Sequence, residues 1–236
     1  MLLATILLNA FAYITIRLRP ILFKVKIFRP MLKNFKLSLF PLVILLINLT
    51  VTFILFWVSA NFNIIFIRAI ALVLFLIGLL IWFLFLPNSG YLITELNLTH
   101  RDDDEKEVPI WYDIVSTFSF ALSGVINTLA NIVILQYVFL MIMVDPLKLN
   151  VSDYLILFIS GFIIIFFVVL GIYLGRAIRF NSWDILHPKS FFKKLKSHFA
   201  KKGVFKELAL YVTFNTIFFL IMYISFGIPF YFIGLV

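Results

Sequence analysis

The sequence predicts an all-α integral membrane helical bundle of about six transmembrane helices. Three observations predict it. Of the 236 residues, 64% are hydrophobic and only 13% charged, against about 25% charged in soluble domains. A water-soluble chain of this size could not hide so much apolar surface. The apolar residues also run continuously, over the length of about 20 that a helix needs to cross about 30 Å of hydrocarbon. Barrel strands would alternate apolar with polar. Finally, the net charge of +9 sits in blocks between the apolar runs, a pattern of membrane orientation rather than of nucleic-acid binding.

The first candidate span is "MLLATILLNAFAYITI", residues 1 to 16. At 1.5 Å per residue it reaches about 24 Å, and it can cross if Arg17 and Arg19 extend to the interface. A signal-like segment is the alternative, but a basic leader region is lacking and Ala10-Phe11-Ala12 is a weak cleavage match. Residues 37 to 60 and 64 to 86 form a hairpin joined by "NFN". Residues 111 to 144 make one long apolar stretch, roughly 50 Å if straight, which must tilt, bend or project. Residues 151 to 175 and 207 to 236 complete the set, the last with an expected break near Gly227 and Pro229. The whole chain, 1 to 236, is expected to form a single polytopic membrane domain.

The loops set the expected orientation. Residues 17 to 36 hold seven Lys/Arg, residues 87 to 110 hold two, and residues 176 to 206 hold nine. Six spans place all three loops on one face, and positive charge stays cytoplasmic. Loops 17–36, 87–110 and 176–206 are therefore expected in the cytoplasm of a bacterial cell, beneath its plasma membrane.

Three polar clusters lie at span ends on that face. The first is "LPNSGYLITEL", residues 86 to 96. Pro87 ends a span and Asn88-Ser89-Gly90 is turn chemistry. A short α-helix would then set Tyr91, Thr94 and Glu95 on one side. One reading is an interfacial re-entry with an aromatic anchor; the other is the rim of a polar cavity. The second is "VPIWYDIVS", residues 108 to 116. Trp111 and Tyr112 suit the interface belt, and Asp113 suits the first turn of a helix. Asp113 also begins a stripe of Ser116, Ser119, Ser123, Asn127 and Asn131 at spacings of three or four. Polar groups are costly against lipid, so this stripe must face protein or a wet cavity. The third is "GRAIRFNSWD", residues 175 to 184. Arg176 and Arg179 suit a helix C-terminus and lipid phosphates, while Asn181, Trp183 and Asp184 suggest a locked turn or a site. Gly171 and Gly175 permit close helix contact.

Other chemistry is excluded or weak. The chain has no cysteine, which removes thiolate catalysis and disulfides. The run "HRDDDEKE" lacks the context of a kinase loop, and its consecutive carboxylates point apart. No phosphate loop, HExxH or GxSxG occurs. No cofactor and no metal site are expected. The run "KKLKSHFAKKGVFK" reads as an amphipathic segment on anionic lipid, with no reading surface for nucleic acid. The expected partners are membrane lipids with anionic headgroups.

Together, "LPNSGYLITEL", "VPIWYD" and "YLGRAIRFNSWDIL" resemble the bacterial and archaeal multi-pass membrane family known as domain of unknown function 1361. That family carries LPNxxYxxTD-like, PxWYD and GRxxRxNSWD motifs in this order and at similar separations. The resemblance spans about residues 34 to 225, leaving residues 1 to 30 largely outside. Glu95 stands where the family usually has aspartate, keeping the carboxylate with a longer reach. The resemblance implies one recurrent constellation and brings no activity with it.

The expected site therefore joins Glu95, Asp113 and Asp184 as anions with Arg176 and Arg179 as cations. Asn88, Tyr91 and Asn181 add neutral hydrogen bonds, and Trp111 and Trp183 fix the depth. Three roles remain open: a structural or assembly role, slightly favoured; binding or transport of a small amphiphile or lipid headgroup; and an enzyme acting on a lipid-linked substrate, with Glu95 or Asp113 as base.

Overall fold

A computed structural model describes residues 2–27, 29–97, 108–143, 150–178 and 187–226. The elements in chain order are α1 (Leu2–Phe23), α2 (Arg29–Phe62), α3 (Ile65–Phe85), α4 (Pro87–Gly90), the 3₁₀ helix η1 (Tyr91–Asn97), α5 (Ile110–Met143), α6 (Val151–Ala177), α7 (Pro188–Phe199) and α8 (Val204–Ser225). No strand occurs among the described residues. Six helices, namely α1, α2, α3 with its extension, α5, α6 and α8, are long and apolar enough to cross a membrane. The chain is a multi-pass membrane protein on that length and apolar character.

α5 is the axis of the bundle. In its most apolar window 56% of residues are buried, against 17–33% for the other five. Those five therefore turn most of their apolar surface outward, as helices facing lipid do. The main core gathers Leu45 of α2, Trp82 of α3, Leu129 of α5, Ile165 and Ile172 of α6, and Phe219 of α8. A second core joins Ala12 and Ile16 of α1 with Met31 and Phe35 of α2, Leu92 of η1 and Phe120 of α5.

The first helix is longer than the apolar run that announces it. It continues through Arg17, Arg19 and Pro20 to Phe23, about 33 Å of helix, enough to span. Arg17 and Arg19 are two positions apart, about 200° around the axis, and their fates differ. Arg17 is exposed and donates from Nε to the Tyr13 hydroxyl at 3.0 Å. Arg19 is buried.

α2 and the following segments form one long antiparallel pair. Ser59 donates to the Ile64 carbonyl at the hairpin end, and Asn48 donates to the Phe75 carbonyl midway. Ser89 donates to the Ser38 carbonyl, and Asn34 donates to Glu95. These pairs descend α2 in order, so α3, α4 and η1 continue along the same partner. At Pro87 the chain tightens its coil and continues along α2. Pro41 removes one N–H from the α2 ladder, and Ser89 binds a carbonyl in that same turn.

Two glycines let the α4 segment wedge between α5 and α6. A Cβ on Gly171 would overlap the Pro87 ring, and one on Gly124 would come within 2.9 Å of the Ser89 carbonyl oxygen. The small residue of α6 thus receives a proline ring of α4.

α7 is amphipathic. Phe191, Leu195, His198 and Phe199 are half-buried on one side, and Lys189, Lys193, Lys194 and Lys196 are exposed. α8 ends at Ser225 with Phe226 as its cap. Gly227 and Pro229, where a break is expected, lie outside the described residues.

Candidate functional site

The polar stripe of α5 faces protein along its full length. Asp113, Ser116, Ser119, Ser123, Asn127 and Asn131 are all buried. Four of these side chains, Asp113, Ser116, Asn127 and Asn131, bond to other helices, as do Tyr112 beside the stripe and Gln136 beyond it.

Asp113 accepts two bonds from Arg19, Nε to Oδ1 at 2.8 Å and Nη2 to Oδ2 at 3.4 Å. The two side chains are 8% and 0% exposed. Asp113 lies in the first turn of α5, where the helix dipole favours an anion. Around it, the Tyr112 hydroxyl donates to the Thr15 carbonyl at 2.8 Å, and Ser116 Oγ donates to Thr15 Oγ1 at 3.2 Å.

Higher on α5, Asn127 and Asn9 bond reciprocally through their amides, at 2.7 and 3.0 Å. Asn127 Nδ2 also donates to Ser38 Oγ at 2.8 Å. Asn131 Oδ1 accepts from the Trp82 indole at 2.8 Å. Gln136 donates to the Leu157 carbonyl at 2.7 Å and to Ser160 at 2.9 Å, and it accepts from the Tyr223 hydroxyl at 2.8 Å. α5 therefore holds a side-chain hydrogen bond to α1, α2, α3, α6 and α8, every other spanning helix among the described residues.

The remaining expected site residues separate into small pairings at one end of the bundle. Glu95 is half-buried and accepts from Asn34 Nδ2 at 2.7 Å. The 3₁₀ coil explains why it parts from its neighbours: at three residues per turn, Tyr91 and Thr94 align and Glu95 swings a third of a turn away. Tyr91 packs on the main core. Thr94 donates to the Tyr91 carbonyl and offers its own carbonyl to Arg176 Nη1 at 2.7 Å. Asn88 is half-buried on α4. Trp111 is 63% exposed, with its ring edge-on to Tyr112 at 5.7 Å. The Phe35 and Phe120 rings, 6.0 Å apart, place Asn34 near the Phe120 level of α5. Asp113 lies seven positions earlier, about 10 Å along the axis. Glu95 and Asp113 thus share an end of the bundle, each with its own partner. Arg179, Asn181, Trp183 and Asp184 lie outside the described residues.

Asn9, Thr15, Asn34 and Ser38 are bonding partners that the three motifs do not mark, and Arg19 reads in sequence as a charge extending to the interface. A signal for α1 existed. Thr5, Asn9, Ala12, Ile16 and Arg19 repeat at spacings of four and three, and all five are buried.

No curated protein and no solved structure matches the chain. A family model described as "Protein of unknown function (DUF1361)" matches residues 33–225, a stretch that contains α4, η1, α5 and α6 and leaves α1 outside. The chain belongs to the DUF1361 family.

Proposed function

We propose that this protein serves a structural or assembly role in a bacterial plasma membrane, as a single polytopic unit whose polar residues fix the register of its helices. The observation that carries this reading is the set of bonds from α5 to all five other spanning helices. A transport path needs polar groups left open to water along its length. Here the stripe is buried and its amides are engaged. A general base needs a carboxylate free to take a proton, and Asp113 is held by Arg19. Loops 17–36, 87–110 and 176–206 face the cytoplasm in this reading, and the lysines of α7 meet anionic headgroups of the inner leaflet.

The chain has no cysteine, so single introduced thiols test this directly. Cysteine at Ser123 or Asn127 should resist a membrane-impermeant maleimide until the protein is denatured. Cysteine at Lys194 should react in inside-out vesicles and be protected in intact cells. Native labelling at Ser123 and Asn127 would favour a water-lined path and overturn the structural role; labelling of Lys194 from outside would reverse the orientation.

A further inference from the structure

Arg176 stands apart from the polar residues consumed by α5. It lies in the last turn of α6 and is exposed. One donor, Nη1, is anchored on the Thr94 carbonyl at 2.7 Å. Among the described residues no carboxylate pairs with it. That anchor caps a carbonyl of η1 and fixes the guanidinium, and among the described residues no other acceptor meets its N–H fork.

The surroundings come from four elements. Tyr211 of α8 lies within electrostatic range of both Arg176 and Tyr91 of η1. Its ring packs at 5.4 Å from that of Tyr173 on α6. The Tyr173 hydroxyl meets His198 Nε2 of α7 at 3.2 Å. A cation, three phenols and an imidazole thus gather where an apolar helix meets a basic amphipathic one. Two acids border the group. Glu95 is held by Asn34, and Glu207 is exposed on the first turn of α8, where water and salt screen it.

We propose that this cluster binds the phosphate of an anionic phospholipid headgroup, with Arg176 as the charged donor and the Tyr211 hydroxyl beside it as a neutral donor. A guanidinium fork matches phosphate oxygens geometrically. Tyrosine places its ring in the apolar boundary and its hydroxyl in the headgroup layer. The exposed lysines of α7 raise the local concentration of anionic lipid, and Arg176 confers the discrete site. The inference rests on the membrane orientation proposed above and adds to it a specific occupant.

The test is native mass spectrometry of the purified full chain titrated with phosphatidylglycerol, with phosphatidylcholine and inorganic phosphate as comparisons. The wild type should retain one phosphatidylglycerol about tenfold more tightly than phosphatidylcholine. Arg176→Gln should abolish that preference. Tyr211→Phe should weaken it with little change in volume, which guards against misfolding of the first variant. Joint replacement of Lys193, Lys194 and Lys196 by Gln should leave the single bound lipid and lower association with phosphatidylglycerol vesicles. Unchanged preference in Arg176→Gln would overturn the site. Equal competition by inorganic phosphate would make the occupant a soluble anion and overturn the lipid assignment. Vesicle association unmoved by the lysine changes would count against the leaflet contact alone, leaving the Arg176 site standing.

Discussion

Breaking the Arg19–Asp113 pair should be the most damaging polar change in the molecule, and removing both partners should undo most of the damage. Asp113→Leu leaves a guanidinium 8% exposed with its carboxylate gone, and Arg19→Met leaves a fully buried carboxylate. At an effective dielectric near 20, unit charges about 4 Å apart attract by about 4 kcal/mol. Breaking a buried pair typically costs about 3–5 kcal/mol, because an uncompensated charge remains. Each single variant should therefore lower the folded-to-unfolded ratio by roughly 10² to 10⁴. The double variant Arg19→Met with Asp113→Leu should return to within about 1 kcal/mol of wild type, since apolar isosteres often replace buried pairs without loss. The assay is dodecyl sulfate titration of purified protein in mixed micelles, followed by far-ultraviolet circular dichroism. Arg17→Met is the internal control and should change stability by under about 1 kcal/mol, because Arg17 is exposed. Single variants within 1 kcal/mol of wild type, or a double variant as unstable as the sum of both, would refute the pairing argument.

Other consequences follow from the same packing. Asn127→Leu removes three bonds to α1 and α2, and at about 0.6 kcal/mol per interhelical bond it should cost about 2 kcal/mol in the same titration; Ser38→Ala should cost about a third of that. Gly171→Ala drives a methyl into the Pro87 ring, which cannot swing aside, so melting in detergent should report a loss of about 1–3 kcal/mol; a neutral result would show that α4 is not wedged on α6. Gln136→Leu unties α6 and α8 from α5 at a point 23 positions from Asp113, about 35 Å along the axis. Combined with Arg19→Met, its effect should add to within about 0.5 kcal/mol, and strong coupling between the two would refute their independence.

The spanning helices were legible because lipid imposes a crude rule, a long apolar run with charges at its ends. The stripe from Asp113 to Asn131 was legible for a subtler reason. Lipid-facing polar groups are too costly to scatter, so a three-and-four spacing had to mean burial. The partners were harder to see. Arg19 buried against a carboxylate and an arginine reaching for headgroups look identical in one dimension, so the apolar run alone ends the first span at Ile16. Thr5, Asn9, Ala12 and Arg19 share a buried face that carries the helix past it. An α-helical period puts Glu95 on one side with Tyr91 and Thr94, whereas the 3₁₀ coil separates them. Arg176 found a backbone carbonyl, which no side-chain pattern marks. Of the three motifs, Pro87 packs against α6 and Asp113 pairs with Arg19, while the segment from Arg179 to Asp184 lies outside the described residues.

The counter-ion of Asp113 also sets an order of events during synthesis. Arg19 precedes Asp113 by 94 residues, so at about 5–20 residues per second the first helix waits roughly 5–20 s at the insertion machinery before the Asp113 carboxylate can reach it. α1 is provisional during that interval and is locked only when α5 arrives. Ribosome-stalled chains ending before residue 110 should release α1 to alkaline carbonate, whereas chains stalled well past residue 143 should hold it.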